Sequence, residues 1–172
     1  MIYTTHYPSP LGDITLESDG ISLVGLWFDG RRHAADMQDK GHEERPDLPV
    51  FIETRQWLDI YFNGDIPHFT PPLRMEGSAF RQRVWQQLLK IPYGSKVSYG
   101  DIACSIGCQS AQAVGGAVGH NPISLIVPCH RVVGADGSMT GYGGGIYRKI
   151  RLLKLECKGL HHPIQNPSIE SS

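Results

Sequence analysis

A single thiol in a stiff, apolar segment is the strongest chemical feature of the sequence. Cys129 lies between Pro128 and His130, within the run 126–132. Pro128 fixes its own φ and favours an extended conformation at Val127, so the backbone that presents the thiol is rigid. A cysteine becomes a nucleophile as its thiolate, which a neighbouring base produces. Neighbours on an extended chain point to opposite faces, so we expect the His130 imidazole to fold back before it influences the sulfur.

The dipeptide alone does not establish catalysis, because free cysteines are most often buried and inert. Cys104 and Cys108 stand four residues apart, as two metal ligands on a helix do, but no second Cys or His pair has matching spacing. We interpret them as half-buried helix thiols and expect no metal and no cofactor. Four cysteines in 172 residues are too sparse for a secreted scaffold, so we expect reduced thiols in the cytoplasm.

Composition excludes other classes. No stretch reaches the roughly 20 apolar residues of a membrane span, and the N-terminus lacks the pattern of a signal peptide. An apolar content of 40% supports a substantial core.

The first half of the chain has an α/β pattern. We expect a turn over 8–12, a strand over 14–17, a tight turn at Asp19-Gly20 and a second strand over 21–28. The polar segment 31–49 lacks a clear apolar period and predicts a weak helix plus a loop. Large apolar residues at helical spacing predict a helix over 50–62.

A proline-rich stretch divides the chain into two parts of opposite charge. Three prolines in 66–73 indicate a linker, so we expect domains over 1–73 and 74–158, followed by a disordered tail over 159–172. The first part carries five Lys/Arg against twelve Asp/Glu, a net charge of −7, and the second carries eleven against four, a net charge of +7. This asymmetry indicates that the second part meets a polyanion, or that the two parts attract each other.

The second part has the caps of a helix-turn-helix. Ser78, Ser98 and Ser110 can each cap a helix; the segment 91–94 ends the first, and the other two end near residues 107 and 119. The third helix has a face of small residues, and Gly115-Gly116 in its middle indicates close approach of another helix or a nucleic-acid backbone.

Two further elements complete the second part. Strand, turn and strand over 124–133 predict the wing of a winged helix. A last helix over 145–156 is predicted to have its apolar stripe at Ile146, Ile150 and Leu153.

The ordered motifs of this half resemble the O6-alkylguanine-DNA alkyltransferases. The resemblance rests on Val97-Ser98-Tyr99, 113–117, Asn121-Pro122, 128–132 and 142–144, in that order and spacing. It implies an α/β (α+β) fold, with an N-terminal ribonuclease-H-like domain and a C-terminal winged helix-turn-helix domain. It also implies base flipping in the minor groove of duplex DNA that contains O6-alkylguanine, followed by one irreversible transfer of the alkyl group to cysteine.

The resemblance assigns a role to each chemical residue. Cys129 matches the alkyl acceptor, His130 the base that acts through a water, and Glu156 the carboxylate that orients the imidazole. Asn121 matches the residue that holds the turn near the cysteine. Tyr99 matches the tyrosine that rotates the nucleotide and donates a proton to guanine N3.

The remaining matches concern binding of DNA and the flipped base. Tyr142 and Gly143 match the lid over the base, with the Gly143 N–H as a donor to O6. The other matched contacts are Ser98, Gln112, Ala113, Gly115, Arg131 and Val132. We expect a monomer, with cooperative binding along DNA left open.

Two positions depart from the family pattern. Gln112 stands where many members have the arginine that fills the space left by the flipped base, which puts DNA affinity in doubt. Ser124 stands where some relatives have proline, which predicts a roomier pocket that tolerates alkyl groups larger than methyl.

Alternatives remain at this point. A non-catalytic protein that flags alkylated DNA would lack the acceptor thiol, and a winged-helix regulator would not need 128–131. A cysteine hydrolase would turn over repeatedly. Under the hypothesis that the protein is an alkyltransferase, O4-alkylthymine is a second candidate lesion.

Overall fold

The computed structural model describes residues 1–30, 42–139, 141–142 and 144–160. Residues 161–172 of the predicted tail, the whole of 31–41, Thr140 and Gly143 lie outside these described residues.

A four-stranded sheet forms the base of the N-terminal half. Its strands are β1 (Ile2–Ser9), β2 (Gly12–Ser18), β3 (Leu23–Phe28) and β4 (His42–Glu44), in the order β3-β2-β1-β4. The β1–β2 and β2–β3 pairs are antiparallel, and β4 runs parallel to β1.

The two predicted strands are confirmed with small changes in their ends, whereas β1 was not predicted as a strand. Pro8 and Pro10, near its end, favour the turn predicted over 8–12 and not a strand. Residues 42–44 lie in the segment predicted as a weak helix plus a loop and form a strand, because pairing with β1 supplies the order that their polar sequence does not signal.

One helix covers this sheet. α1 (Pro49–Phe62) agrees with the predicted helix over 50–62, and it begins at a proline in the first turn. Tyr7 donates from its hydroxyl to Asp59 over 2.6 Å, and Arg55 donates to Thr5, so polar contacts as well as the apolar face fix α1 on the sheet. Gly64, with φ of 89°, follows the end of the helix.

Three short helices form the start of the C-terminal half. They are α2 (Ala79–Leu89), α3 (Tyr99–Ser105) and α4 (Ala111–Gly119). The hydroxyls of Ser78, Ser98 and Ser110 each accept a backbone N–H in the first turn of these helices, which confirms the three predicted caps. α3 and α4 are the predicted helix-turn-helix pair, and the Trp85 indole donates to Ala117 O over 2.9 Å to hold α4 on α2.

The predicted wing is wrong. Residues 124–133 are not strand, turn and strand but a compact turn, a 3-10 turn at Cys129–Arg131 and the short strand β6 (Val132–Val133). β6 pairs in parallel with β5 (Val97–Ser98). The two valines of β6 therefore pair with residues far away in the sequence and not with an adjacent strand. The last helix of the described residues is α5 (Ile146–Leu160).

The two halves share one continuous core. One edge of β3 pairs with β2, and its free edge is hydrogen-bonded first to the linker, where Leu23 N donates to Pro72 O, and then to the turn before the cysteine. Leu26 N donates to Pro122 O over 3.0 Å, and Ser124 N donates to Leu26 O over 2.9 Å. The N-terminal sheet is therefore hydrogen-bonded to the segment that leads into Cys129.

Candidate active site

Cys129 lies at the start of a 3-10 turn and lines a narrow pocket. The residue is 8% exposed. The other residues that line the pocket come from the end of α4, the turn that follows it and the segment before α5: Val118, Gly119, Asn121, Ser124, Gly141 and Tyr142. The turn conformation replaces the extended backbone predicted for this dipeptide.

A strained turn immediately before Pro128 presents the thiol. Leu125 has φ of 71°, in the left-handed region that residues with a Cβ rarely adopt. The amide of Asn121 holds this turn at both ends: Nδ2 donates to Val127 O over 2.8 Å, and Oδ1 accepts from Ile123 N over 3.0 Å. Asn121 therefore lies where the resemblance placed it, and its two hydrogen bonds offset the strain.

His130 and Glu156 meet in the interior. Nε2 of His130 is 2.5 Å from Oε2 of Glu156, and both side chains are completely buried. Burial lowers the pKa of His130 below 6.5, and the charges of Arg131 and Lys149 lower it further, while Glu156 opposes them. The imidazole is therefore neutral near pH 7. Its Nδ1 is buried and has no hydrogen-bond partner among the described residues.

Several donors converge on Glu156. Arg131 donates from Nε to Oε1 over 2.8 Å and from Nη2 to Oε2 over 3.1 Å. Gly94 N donates to Oε1 over 3.1 Å, and the hydroxyl of Tyr61 donates to Oε2 over 2.7 Å. Burial alone would raise the pKa of Glu156, but the hydrogen bonds and charges of His130 and Arg131 outweigh it and lower the pKa to about 2.

Two predicted contact residues lie elsewhere. Arg131 is 8% exposed and Val132 is fully buried. The guanidinium is occupied by Glu156 and by Ile91 O, and Val132 pairs with Val97. This placement differs from the prediction that they contact DNA or substrate: the side chains face the interior because Arg131 neutralises a buried carboxylate.

Lys149 belongs to the site and was missed from the sequence. It is fully buried on α5, and burial lowers its pKa, while the charge of Cys129 raises it. The predicted stripe of Ile146, Ile150 and Leu153 is wrong, since the buried face of α5 contains Lys149, Leu152 and Glu156, and Ile146 is 49% exposed. Lys149, Leu152 and Glu156 have the i, i+3, i+7 spacing of one helix face. Because two of these three residues are charged, hydrophobic periodicity does not assign them to a buried face.

The predicted DNA-contact residues of the helix-turn-helix are exposed or half-buried. Gln112 and Ala113 are exposed in the first turn of α4. Tyr99 packs beside Gly115, where an added Cβ would lie 3.7 Å from the tyrosine ring. A Cβ at Gly116 would meet nothing within 4 Å, so that part of α4 presents bare backbone to the outside. Ser98 is used in a capping box with Asp101.

The predicted lid lies only partly within the described residues. Tyr142 is half-buried and lines the pocket, while Gly143 lies outside the described residues. Cys104 is exposed on α3, and Cys108 is half-buried beyond the end of that helix. Within the described ranges, no group of three His, Cys, Asp or Glu could hold a metal ion. None of the described helices is long and apolar enough to cross a membrane.

Two family models together match nearly the whole of this architecture. The ribonuclease-like domain of 6-O-methylguanine DNA methyltransferase matches residues 2–75, and the DNA-binding domain of the same family matches residues 79–158. The predicted order of a ribonuclease-like α/β domain and a helical DNA-binding domain is thereby confirmed.

Individual relatives agree with the family models. The methylated-DNA–protein-cysteine methyltransferase of Haemophilus influenzae is 45% identical over 157 residues, which cover 90% of this chain and 86% of its own. The crystal structure of Mycobacterium tuberculosis O6-methylguanine methyltransferase has a TM-score of 0.84 at 43% identity, covering 92% of this chain and 94% of that chain. The M. tuberculosis protein in complex with DNA has a TM-score of 0.81 at 43% identity, with coverage of 92% and 93%.

Fold and site define a helix-turn-helix protein with a cysteine in a pocket, followed directly in the sequence by the histidine of a buried His-Glu pair. With the matches above, the chain belongs to the 6-O-methylguanine DNA methyltransferase family. Its function is direct-reversal DNA repair by alkyl transfer, and its enzyme class is that of a methylated-DNA–[protein]-cysteine S-methyltransferase.

Proposed function

We propose that this protein removes the alkyl group from O6-alkylguanine in duplex DNA and keeps it on Sγ of Cys129, once per molecule. The observation that carries the proposal is the position of Cys129 in a pocket, followed directly by the buried His130–Glu156 pair. A thioether is stable, and no group of the described site can reverse its formation. Each molecule is therefore consumed.

His130 activates the thiol through Nδ1. Because Nε2 faces the carboxylate of Glu156, that nitrogen carries the hydrogen, and Nδ1 is left as an acceptor. Nδ1 takes the thiol proton through one bridging water, and Glu156 stabilises the imidazolium that forms. The nearby ammonium of Lys149 favours the thiolate.

The transfer exchanges one bond for another. Sγ of Cys129 forms a bond to the alkyl carbon as the bond from that carbon to guanine O6 breaks. The leaving guanine gains electron density, and a proton from the hydroxyl of Tyr99 to N3 neutralises it. Overall, one proton passes from the thiol to guanine by way of the protein.

α4 is the DNA-contacting helix of this proposal. Exposed backbone at Gly116 and the small side chain of Ala113 allow close approach to a narrow minor groove. Gln112 enters the space left by the flipped nucleotide, and Tyr99 contacts the phosphate that rotates. Tyr99 packs beside Gly115, which lies three residues after Gln112 on α4.

Entry of the base requires movement of the lid. The pocket at Cys129 has a volume of about 10 Å³, which is close to the minimum for a single water molecule. A guanine is much larger, so Tyr142 and Gly141 move outward when a base enters. We also propose that the protein acts as a monomer in the cytoplasm, where four cysteines in 172 residues are expected to stay reduced.

Mass spectrometry of the protein after reaction tests the proposal. We expect one added methyl group per molecule after incubation with a duplex containing O6-methylguanine, located on Cys129. Cys157→Ala, which changes an exposed cysteine, should still gain the methyl group, and Cys129→Ala should not. Tight binding without a change in mass would instead identify a protein that flags lesions.

A further inference from the structure

We propose that Tyr61, a residue of the N-terminal domain, is a positioning residue that keeps His130 in its neutral form for the transfer. The inference rests on the proposed function, because it concerns the base of that reaction. It assigns the N-terminal half a part in the chemistry through α1, in addition to its packing against the C-terminal half.

The hydroxyl of Tyr61 lies between the two members of the buried pair. It donates to Oε2 of Glu156 over 2.7 Å and is 3.4 Å from Nε2 of His130. Tyr61 is completely buried, and burial together with Glu156 raises its pKa well above 10. The phenol therefore keeps its hydrogen at every pH at which the protein works, and it acts as a donor throughout.

The ring has little freedom to turn away from this contact. It stacks on Trp57 at a centroid distance of 5.2 Å and meets Phe62 edge-on at 5.3 Å. Tyr93 and the imidazole of His130 contact its other edges at 6.2 and 6.4 Å. Packing on several sides fixes the direction in which the hydroxyl points.

Oε2 of Glu156 is shared by three donors, and this sharing sets the basicity of His130. The donors are His130 Nε2, the hydroxyl of Tyr61 and Nη2 of Arg131. Each added donor stabilises the negative charge on Oε2, so the carboxylate attracts an imidazolium less strongly. Loss of the Tyr61 hydroxyl concentrates that attraction on His130 and raises the pKa of the imidazole.

The charged groups around His130 each shift the pKa of its imidazole in a defined direction. Arg131 from its own turn and Lys149 from α5 lower its pKa, and Glu156 from α5 raises it. Tyr93, from the loop after α2, contacts the ring of Tyr61, but its buried hydroxyl makes no hydrogen bond with any described residue. Tyr93→Phe is therefore a matched control for removal of a buried phenol from the same aromatic cluster.

The test is the single-turnover rate of methyl transfer between pH 5.5 and 9 for the wild type, Tyr61→Phe and Tyr93→Phe. For Tyr61→Phe we expect the acid limb to move to higher pH by about half to one unit, which slows the reaction about threefold to tenfold at the foot of that limb. The rate at pH 9 should stay within about twofold of the wild type. The Tyr93→Phe profile should coincide with that of the wild type.

A second variant keeps the ring and the hydroxyl of residue 61 and should shift the acid limb in the opposite direction. Fluorotyrosine placed at position 61 alone is a stronger donor, so the acid limb should move to lower pH. Superposition of all profiles, or a lower melting temperature without a shift in pH, would overturn the role of Tyr61 and leave a structural one. Failure of the wild type to gain a methyl group would overturn the proposed function itself, so the two failures are distinguishable.

Discussion

The imidazole of His130 and the carboxylate of Glu156 share a 2.5 Å hydrogen bond at a point that solvent does not reach. The same carboxylate neutralises Arg131, so it serves stability and chemistry together. Removal of its charge leaves a buried guanidinium without its counterion and removes the orienting partner of the base.

We therefore expect Glu156→Gln to lose about 3–5 kcal/mol of the free energy of unfolding, the usual cost of breaking a buried ion pair. We also expect alkyl transfer to slow by roughly 10²-fold, the lower end of the contribution of general base catalysis. Urea unfolding and single-turnover rates measure the two effects. Glu76→Gln is the control, because its pair with Arg74 is exposed and should be worth less than about 1 kcal/mol. Equal losses in both variants would contradict this account.

Acid should destabilise the protein in two stages. The pKa of His130 is lower in the folded state than its unfolded value of 6.5, and that of Glu156 is lowered from 4.5 to about 2. Since the unfolded state then binds more protons, stability is greatest above the unfolded values and falls as the pH drops. The His130 stage starts near pH 6.5. The Glu156 stage, worth about 3 kcal/mol, starts near pH 4.5.

Urea titrations from pH 7.5 to pH 3 check the sign of this dependence. The stage below pH 4.5 should disappear in Glu156→Gln. Stability that rises as the pH falls from 6.5 to 5 would contradict the burial of a neutral imidazole.

Local signals in the sequence were sufficient for the helices of the DNA-binding half. Ser78, Ser98 and Ser110 are caps whose partners lie three residues away, so a sequence motif and the structural contact coincide. The same holds for α1 and for the β2–β3 hairpin.

Contacts between distant residues could not be predicted in this way. Lys149 and Glu156 occupy the buried face of α5 because Arg131 and Cys129, which the fold brings to that face, compensate their charges, and hydrophobic periodicity assigns charged residues to solvent. Tyr61 was predicted only as part of an apolar helix face, since its hydrogen-bond acceptor lies 95 residues further along the chain. The wing was mispredicted because the valines of 132–133 pair with β5 rather than with a neighbouring strand.

Gln112→Arg should strengthen DNA binding. Gln112 is exposed at the start of α4, where a guanidinium can reach phosphate and stack beside the space left by the flipped base. We expect the slope of log affinity against log salt to increase in magnitude by about one, with tighter binding at low salt. Titrations of a labelled duplex at several salt concentrations measure it. Gln86→Arg places the same charge on an exposed site of α2, and an equal gain there would show that position 112 has no special role.

Ser124 should set the size of the alkyl group that the pocket accepts. Its side chain is buried beside Cys129, and its N–H donates to Leu26 O. Proline at this position would remove that hydrogen bond as well as narrow the pocket, so Ser124→Val is the cleaner test. We expect the ratio of benzyl to methyl transfer rates to fall in Ser124→Val and to rise in Ser124→Ala. Identical ratios in the three proteins would exclude Ser124 as the determinant.

The alkylated protein should melt at a lower temperature than the free protein. Cys129 is 8% exposed in a pocket with almost no spare volume, so an added methyl overpacks it at a typical cost of about 1–3 kcal/mol. This cost predicts a decrease of about 2–10 °C. Calorimetry before and after reaction, with a lesion-free duplex as the control, measures the change. A decrease that is smaller in Ser124→Ala would locate the strain in this pocket, whereas an unchanged or higher melting temperature would mean that the pocket expands to accept the methyl group.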